Sequence, residues 1–211
     1  MRILGLNHSN DSAAALVADG RVWAASAEER FSRIKHDRHF PHQAKNFVLS
    51  DLPGGLNDCD AISFFWNPLL HMDATNRRLT DVPRSHLEYL YSLPNNLFGG
   101  QNHNDVPYIS MQIPKEGGGA HQLFFVPHHL CHAAHAFFES PFEEAAILTV
   151  DGYGERISTQ ISVGRGNSIT PVMSVPFPHS LGSVYAAFTQ YLGFRANNGE
   201  GKVMGLASYG T

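Results

Sequence analysis

Ala145-Ala-Ile-Leu-Thr-Val150, followed at once by Asp151-Gly-Tyr-Gly154, decides the fold. Six apolar or small residues end on a polar glycine turn. Ile157 to Val163 then alternates, Gly164-Arg-Gly-Asn-Ser168 turns the chain, and Ile169 to Val175 runs extended again. That is the pattern of strands joined by tight turns. The beginning of the chain has the same layout. Ile3-Leu-Gly-Leu-Asn7 leads into a polar loop, Ser12 to Val17 forms a second apolar run, and Asp19-Gly20 reverses the chain into Arg21-Val-Trp-Ala-Ala25. Asp-Gly between two apolar runs is the strongest short hairpin signal. The likeness lies in pattern rather than in residue identity, and two related subdomains are its simplest explanation. The expected division is a first subdomain over 1–144, with an insertion at about 67–121, and the start of a second over 145–211.

Helical signals lie between and after these strands, so the fold class is α/β. Pro41 followed by Ala44, Phe47, Val48 and Leu52 predicts an amphipathic helix, and Ala61 to Trp66 predicts a buried strand. A further helix is expected after Pro83, carrying Leu87 and Leu90, before a loop rich in Asn, Gly and Pro that includes Gly117-Gly-Gly119. Near the end, Leu181, Val184, Tyr185, Phe188 and Leu192 follow the helical period, with Ser180 placed as N-cap and Gly193 as the stop.

Composition excludes several functions. The 15 Lys and Arg against 19 Asp and Glu give a formal charge of −4, with no basic face or stripe to follow nucleic acid. Two cysteines do not make a disulfide framework, and the N-terminus lacks the apolar core of a signal peptide. No apolar run reaches the roughly 18 residues that a membrane span needs. A soluble, cytoplasmic protein is expected, with neither nucleic acid nor membrane as partner. The unusual feature is 13 histidines in a chain that is 16% charged, because histidine is the commonest side-chain metal ligand.

In a helix beginning at His128, the side chains of His128, His132 and His135 share a face. Two imidazoles one turn apart can grip one metal ion. Asp151, 19 residues after His132, ends the strand that opened this reading and can complete a mixed nitrogen and oxygen site. Such a donor set suits Fe, Mn or Zn better than Ca or Mg. Cys131 is a rival ligand, and ordinary hydrogen-bonded histidines are the plain alternative. The Asp151-Gly-Tyr-Gly154 turn brings backbone N–H groups close to whatever it faces and can cradle phosphate, although most such turns are only turns. Asn198-Gly-Glu-Gly-Lys-Val-Met-Gly205 contains Lys202, a point charge suited to an anion. It lacks Walker A spacing, and as a bare pattern it reads as a loop. Glu28 to Asp37 is a mixed-charge run whose plain reading is a solvated helix start.

Taken in order, these segments resemble the carbamoyltransferase family of nodulation and antibiotic-modifying enzymes. The motifs are Ile3-Leu-Gly-Leu-Asn7 with Asp11-Ser-Ala-Ala-Ala-Leu16, Glu28-Glu-Arg-Phe31 with Lys35-His36, His128-His-Leu-Cys-His-Ala-Ala134, Val150-Asp-Gly-Tyr-Gly-Glu155, Ser180-Leu-Gly-Ser-Val-Tyr185 and Gly201-Lys-Val-Met-Gly-Leu-Ala207. The resemblance implies a duplicated actin-like (ribonuclease H-like) domain, similar to that of the tRNA threonylcarbamoyladenosine enzyme. It implies that a carbamoyl group passes from carbamoyl phosphate, through carbamoyl-adenylate made with ATP, to a hydroxyl of a sugar or natural product. A C-terminal domain makes the adenylate, and the actin-like domain transfers the group with iron, Fe(2+), in its site.

By the same resemblance His128, His132 and Asp151 are the metal ligands, whereas His129 and His135 do not match ligand positions. Gly152, Gly154, Gly182 and Ser183 resemble positions lining the donor nucleotide, and Lys35 resembles a lysine contacting acceptor or anion. The family's general base is a histidine directly before Asp11, where this chain has Asn10. An amide is no base at neutral pH, so His8 is the expected substitute. The family continues beyond Thr211, where a further metal-binding aspartate and the adenylate-forming domain lie. A fragment with an incomplete second subdomain and doubtful activity of its own is therefore expected. The rival readings are an actin-like kinase or hydrolase, and a metal- or nucleotide-binding remnant without catalysis.

Overall fold

The structure is a computed structural model and describes residues 1–9, 11–67 and 109–210. Asn10 and the helix expected after Pro83 lie outside the described residues. The described chain forms two compact units, 1–67 with 109–127 and 128–210. Together they make a mixed α/β protein with a six-stranded and a three-stranded sheet.

In the first unit, β1 (Arg2–Asn7), β2 (Ala13–Ala18) and β3 (Arg21–Ala27) form an antiparallel meander. The hairpin between β2 and β3 turns on Asp19 and Gly20, both at positive φ (51° and 78°), as a two-residue Asp-Gly turn requires. β4 (Ala61–Phe64) lies parallel to the other edge of β1. β5 (Ile109–Pro114) and β6 (Ala120–Phe125) complete the order β3-β2-β1-β4-β6-β5. The expected insertion is thus corrected at its end: its last part is a hairpin within the main sheet. Ile109, Met111 and Ile113 alternate, as do His121, Leu123 and Phe125, and Gly117, Gly118 and Gly119 all take positive φ between the two strands.

Leu4 and Leu6 lie two apart on one face of β1. α2 (His42–Val48) packs there, placing Ala44 and Val48 against Leu4, Ala14 and Leu16. The charged run before it does start a short helix with no buried residue, as expected, but Glu28 and Asp37 at its two ends are buried rather than solvated. After the single turn of α1 (Glu29–Ser32), the chain returns so that Glu28, 4% exposed, accepts the amides of Gln43 (3.1 Å) and Ala44 (2.8 Å). First-turn amides of a helix have no partner within it, and Pro41 at the N-cap supplies no side-chain acceptor, so a buried carboxylate satisfies them.

His121 is 2% exposed, and burial, with the Lys115 charge, holds its imidazole below the ordinary value. It folds neutral. Since the unfolded chain takes up that proton more readily, stability is fully present above about pH 6.5 and is lost as pH falls below it. Thermal melts between pH 7 and 5 are expected to show a decline that is shallower in His121→Gln.

In the second unit, α3 (His128–Phe138) precedes another antiparallel meander of β7 (Glu144–Val150), β8 (Ile157–Arg165) and β9 (Ser168–Pro176). The sequence division at 144/145 assigns α3 to the first subdomain, whereas its packing joins it to 128–210. Ala133 and Phe137 bury against Ile147, and Phe137 lies over Gly164, where a Cβ would come within 2.8 Å of its ring. α4 (Leu181–Tyr191) begins as expected, with the Ser180 hydroxyl accepting the Ser183 amide at 3.0 Å, and Gly193 follows its end at φ 84°. Its apolar stripe is nevertheless exposed, with Leu181 at 68%, Val184 at 52% and Phe188 at 59%, while Thr189 is the buried residue. Periodicity identified the helix without identifying a cover for it. The segment read as a loop at 198–205 is instead mostly α5 (Glu200–Ala207), started by Glu200, whose carboxylate accepts the Asn197 amide at 2.7 Å. Among the described residues no helix is long and apolar enough to cross a membrane.

Candidate metal centre

α3 buries His129, Ala133 and Phe137, which lie four apart, and so sets His128 and His132 on an adjoining side of the helix, one turn from each other. The end of β7 delivers Asp151 to the same point. His128 Nε2 lies 2.7 Å and His132 Nε2 3.0 Å from Asp151 Oδ2, and the two ring nitrogens are 3.0 Å apart. The His128 side chain is 17% exposed and that of His132 50%, so the cluster opens to solvent on the His132 side. Burial would raise the Asp151 carboxyl, but hydrogen bonds from His128 and His132 and the Gly152 amide more than offset this and hold it well below the usual carboxylate range. It is an anion at any physiological pH.

These residues fit a divalent transition metal. Metal–donor bonds of about 2.1 Å at right angles separate neighbouring donors by about 3.0 Å, close to the three separations found. Two histidines and one carboxylate on one side of an ion, with other positions open, form the donor set of non-haem iron(II) sites. Without an ion, both Nε2 atoms must carry a proton to donate to Asp151 Oδ2, and the two N–H groups would then face each other across 3.0 Å. A shared cation relieves that conflict.

The rival ligands fall away. Burial, then the Glu155 charge, pushes the Cys131 thiol up to about 12, so it stays protonated. His129 is a core histidine, 1% exposed. Burial holds it neutral, and the consistent tautomer has Nε2–H donating to the Ile157 carbonyl (3.1 Å) while Nδ1 accepts from the Thr149 hydroxyl (2.7 Å). His135 is exposed in the last turn of α3 and lies outside the cluster.

The structure also gathers the glycine positions around Asp151. The Ser180 hydroxyl donates to the Asp151 carbonyl (2.9 Å), and the Ser183 hydroxyl lies 3.4 Å from that of Gly152. A Cβ on Gly182 would come within 2.6 Å of the Asp151 carbonyl carbon and the Gly152 nitrogen. α4 therefore starts directly on the Asp151 loop. Gly154 makes a different close approach, since a Cβ there would meet the His129 ring at 2.7 Å. Lys202 is not gathered in this way and lies on α5 with Nζ 6.0 Å from the Phe194 ring centre.

In the first unit, Asp11 and Lys35 are linked through neighbours. His36 Nδ1 is 2.7 Å from Asp11 Oδ1, while Glu29 accepts both the Lys35 ammonium (3.1 Å) and the His36 amide (3.0 Å). Asp11, Glu29 and His36 also form a ligand-like cluster, but the Lys35 ammonium already supplies its cation. His8 packs edge-on against Phe40, and burial lowers its imidazole from the ordinary value. The sequence reading missed Glu155, which is 6% exposed and accepts the His128 amide with both oxygens (3.0 and 3.2 Å). Its position directly after the glycine turn was the available signal.

Comparison with known proteins identifies the family. The family model described as Carbamoyltransferase N-terminus matches residues 2–211. "Uncharacterized protein sll1178" of Synechocystis sp. is 42% identical over 99% of this chain and 34% of its own length. "Nodulation protein NolNO" of Sinorhizobium fredii is 36% identical over 95% of this chain and 28% of its own. "Uncharacterized protein MJ1051" of Methanocaldococcus jannaschii is 26% identical over 98% of this chain and 33% of its own. The chain thus spans about a third of the length of the curated relatives it matches. With its motifs in order and the family model matched over residues 2–211, the chain belongs to the carbamoyltransferase family.

Proposed function

We propose that this chain carries the metal-binding, carbamoyl-transferring part of an O-carbamoyltransferase, in which the group passes from carbamoyl phosphate through carbamoyl-adenylate to a small-molecule hydroxyl. The observation that carries the reading is the convergence of His128, His132 and Asp151 to within about 3 Å of one another in a member of this family. Fe(2+) is the proposed ion. When bound, the metal supplies positive charge that neutralises phosphate oxygens and orients the donor.

The chain's own residues do the rest. Asp151 stays ionised and the two imidazoles complete the grip. The start of α4, with Gly182 and Ser183 against Gly152, forms a backbone-lined edge for the donor nucleotide, with Gly154 shaping the same loop and Lys202 as a more distant anion contact. Lys35, beside Asp11 and His36, meets the anion or acceptor. His8, kept neutral by its burial, takes the hydroxyl proton while the new oxygen–carbon bond forms and the bond from the carbamoyl carbon to the phosphate oxygen breaks. The adenylate is assigned to a C-terminal domain acting as partner. A duplicated actin-like architecture is supported by the repeated three-stranded antiparallel meander, β1-β2-β3 in one unit and β7-β8-β9 in the other. Supplying the full-length protein with carbamoyl phosphate, ATP and candidate hydroxyl acceptors is expected to give carbamoylated product. ADP without carbamoylation would assign it instead to nucleotide-dependent kinases or hydrolases, and nucleotide and metal binding without turnover would make it a non-catalytic binder.

A further inference from the structure

We infer that Glu155 is a positioning residue of the metal centre, fixing the start of α3 to the loop that carries Asp151 and so setting the distance between the histidine pair and the carboxylate. The inference rests on the metal reading above. The site is built from two pieces of chain that meet at a point: the first two turns of α3 provide His128 and His132, and the loop after β7 provides Asp151. Side-chain contact alone leaves such a meeting loose, because an imidazole pair on a helix that slides by about 1 Å no longer converges.

Three contacts prevent the slide. Glu155, four residues beyond Asp151 on the same loop, accepts the backbone amide of the ligand His128 itself, at 3.0 and 3.2 Å. His129 is tied to Thr149 and Ile157, one on each strand flanking the loop. Gly154, next to Glu155, lies against the His129 ring, and its amide donates to the Ile157 carbonyl at 2.6 Å. Of the three, Glu155 alone bonds a metal ligand, and it does so at the helix end where a buried carboxylate is most favourable. Glu28 does the same for α2 in the first unit, capping Gln43 and Ala44, yet His42 on that helix turn belongs to neither cluster of candidate ligands. This provides a built-in control.

Anaerobic Co(II) titration, followed by ligand-field absorption, tests the inference on this chain without an activity assay. Glu155→Ala is expected to weaken Co(II) binding by about 10- to 100-fold, the usual effect of losing a partner that orients a ligand. Glu155→Gln, whose amide oxygen still accepts one N–H, is expected to recover most of the affinity. Glu28→Ala is expected to lower the melting temperature while leaving Co(II) affinity unchanged. If Glu155→Ala does not fold, Glu155→Asp, one methylene short, decides the matter by the same titration. Wild-type affinity in a folded Glu155 variant with a lowered melting temperature makes Glu155 a stability cap and overturns the inference alone. Absence of Co(II) bands in the unaltered protein overturns the metal reading itself.

Discussion

Replacing Gly182 by alanine is expected to unseat α4 from the Asp151 loop. The added Cβ would stand 2.6 Å from two backbone atoms, the Asp151 carbonyl carbon and the Gly152 nitrogen, and 2.7 Å from the Asp151 oxygen. No rotamer change relieves a clash with backbone, so helix or loop must move. The Ser180 bond to the Asp151 carbonyl (2.9 Å) and the Ser183 contact with Gly152 (3.4 Å) stretch with it. Overpacking of this kind costs about 3 kcal/mol, equivalent to a melting temperature lower by roughly 6–12 °C in a chain of this size. The displacement also rotates the Asp151 carboxylate, so metal affinity is expected to fall together with stability. Calorimetry with and without metal measures both. Gly152→Ala is the contrast: a Cβ there has nothing within 4 Å and should leave both quantities nearly unchanged.

Asp151→Asn is expected to have the largest effect on the centre itself. The amide keeps the shape of the carboxylate but removes the negative charge that both imidazoles face at 2.7 and 3.0 Å. An uncharged oxygen is a much poorer ligand for a divalent ion, and the Asn nitrogen, turned inward, places N–H against the rings. A loss of metal affinity greater than about 100-fold is expected, since the loss of an outer-shell partner already costs 10- to 100-fold. Under the proposed function, carbamoyl transfer by the full-length protein should fall below detection. Isothermal titration with Zn(II) or Co(II) reads the first effect, and product formation reads the second. Unaltered affinity would remove Asp151 from the ligand set.

Much of the fold was legible because it is local. The hairpin at Asp19-Gly20, the strand ending at Asp151 and the Ser180 cap each depend on a few neighbouring residues, and each stands where those residues put it. The histidine cluster was legible only in part: helical spacing offered His128, His132 and His135 with Cys131 as a rival, a strand end offered Asp151, and the family resemblance singled out the pair. Interactions between distant segments were not legible. Glu28 and Glu155 look like ordinary charged residues until the fold brings Ala44 and His128 to them. The hairpin of β5 and β6 was hidden because its glycines and polar neighbours dominated the composition of the segment. The period of Leu181, Val184 and Phe188 predicted α4 itself, but periodicity records amphipathicity rather than the presence of a partner, and the stripe is exposed.

The central claim is that His128, His132 and Asp151 hold one divalent metal ion, and X-ray absorption at the iron edge tests it most directly. Protein reconstituted anaerobically with Fe(2+) is predicted to bind about one ion per chain and to show the outer-shell scattering of two imidazoles, half of it lost in His132→Ala and all of it in the double variant His128→Ala/His132→Ala. A spectrum without imidazole scattering, or one that survives the double variant, would contradict the account.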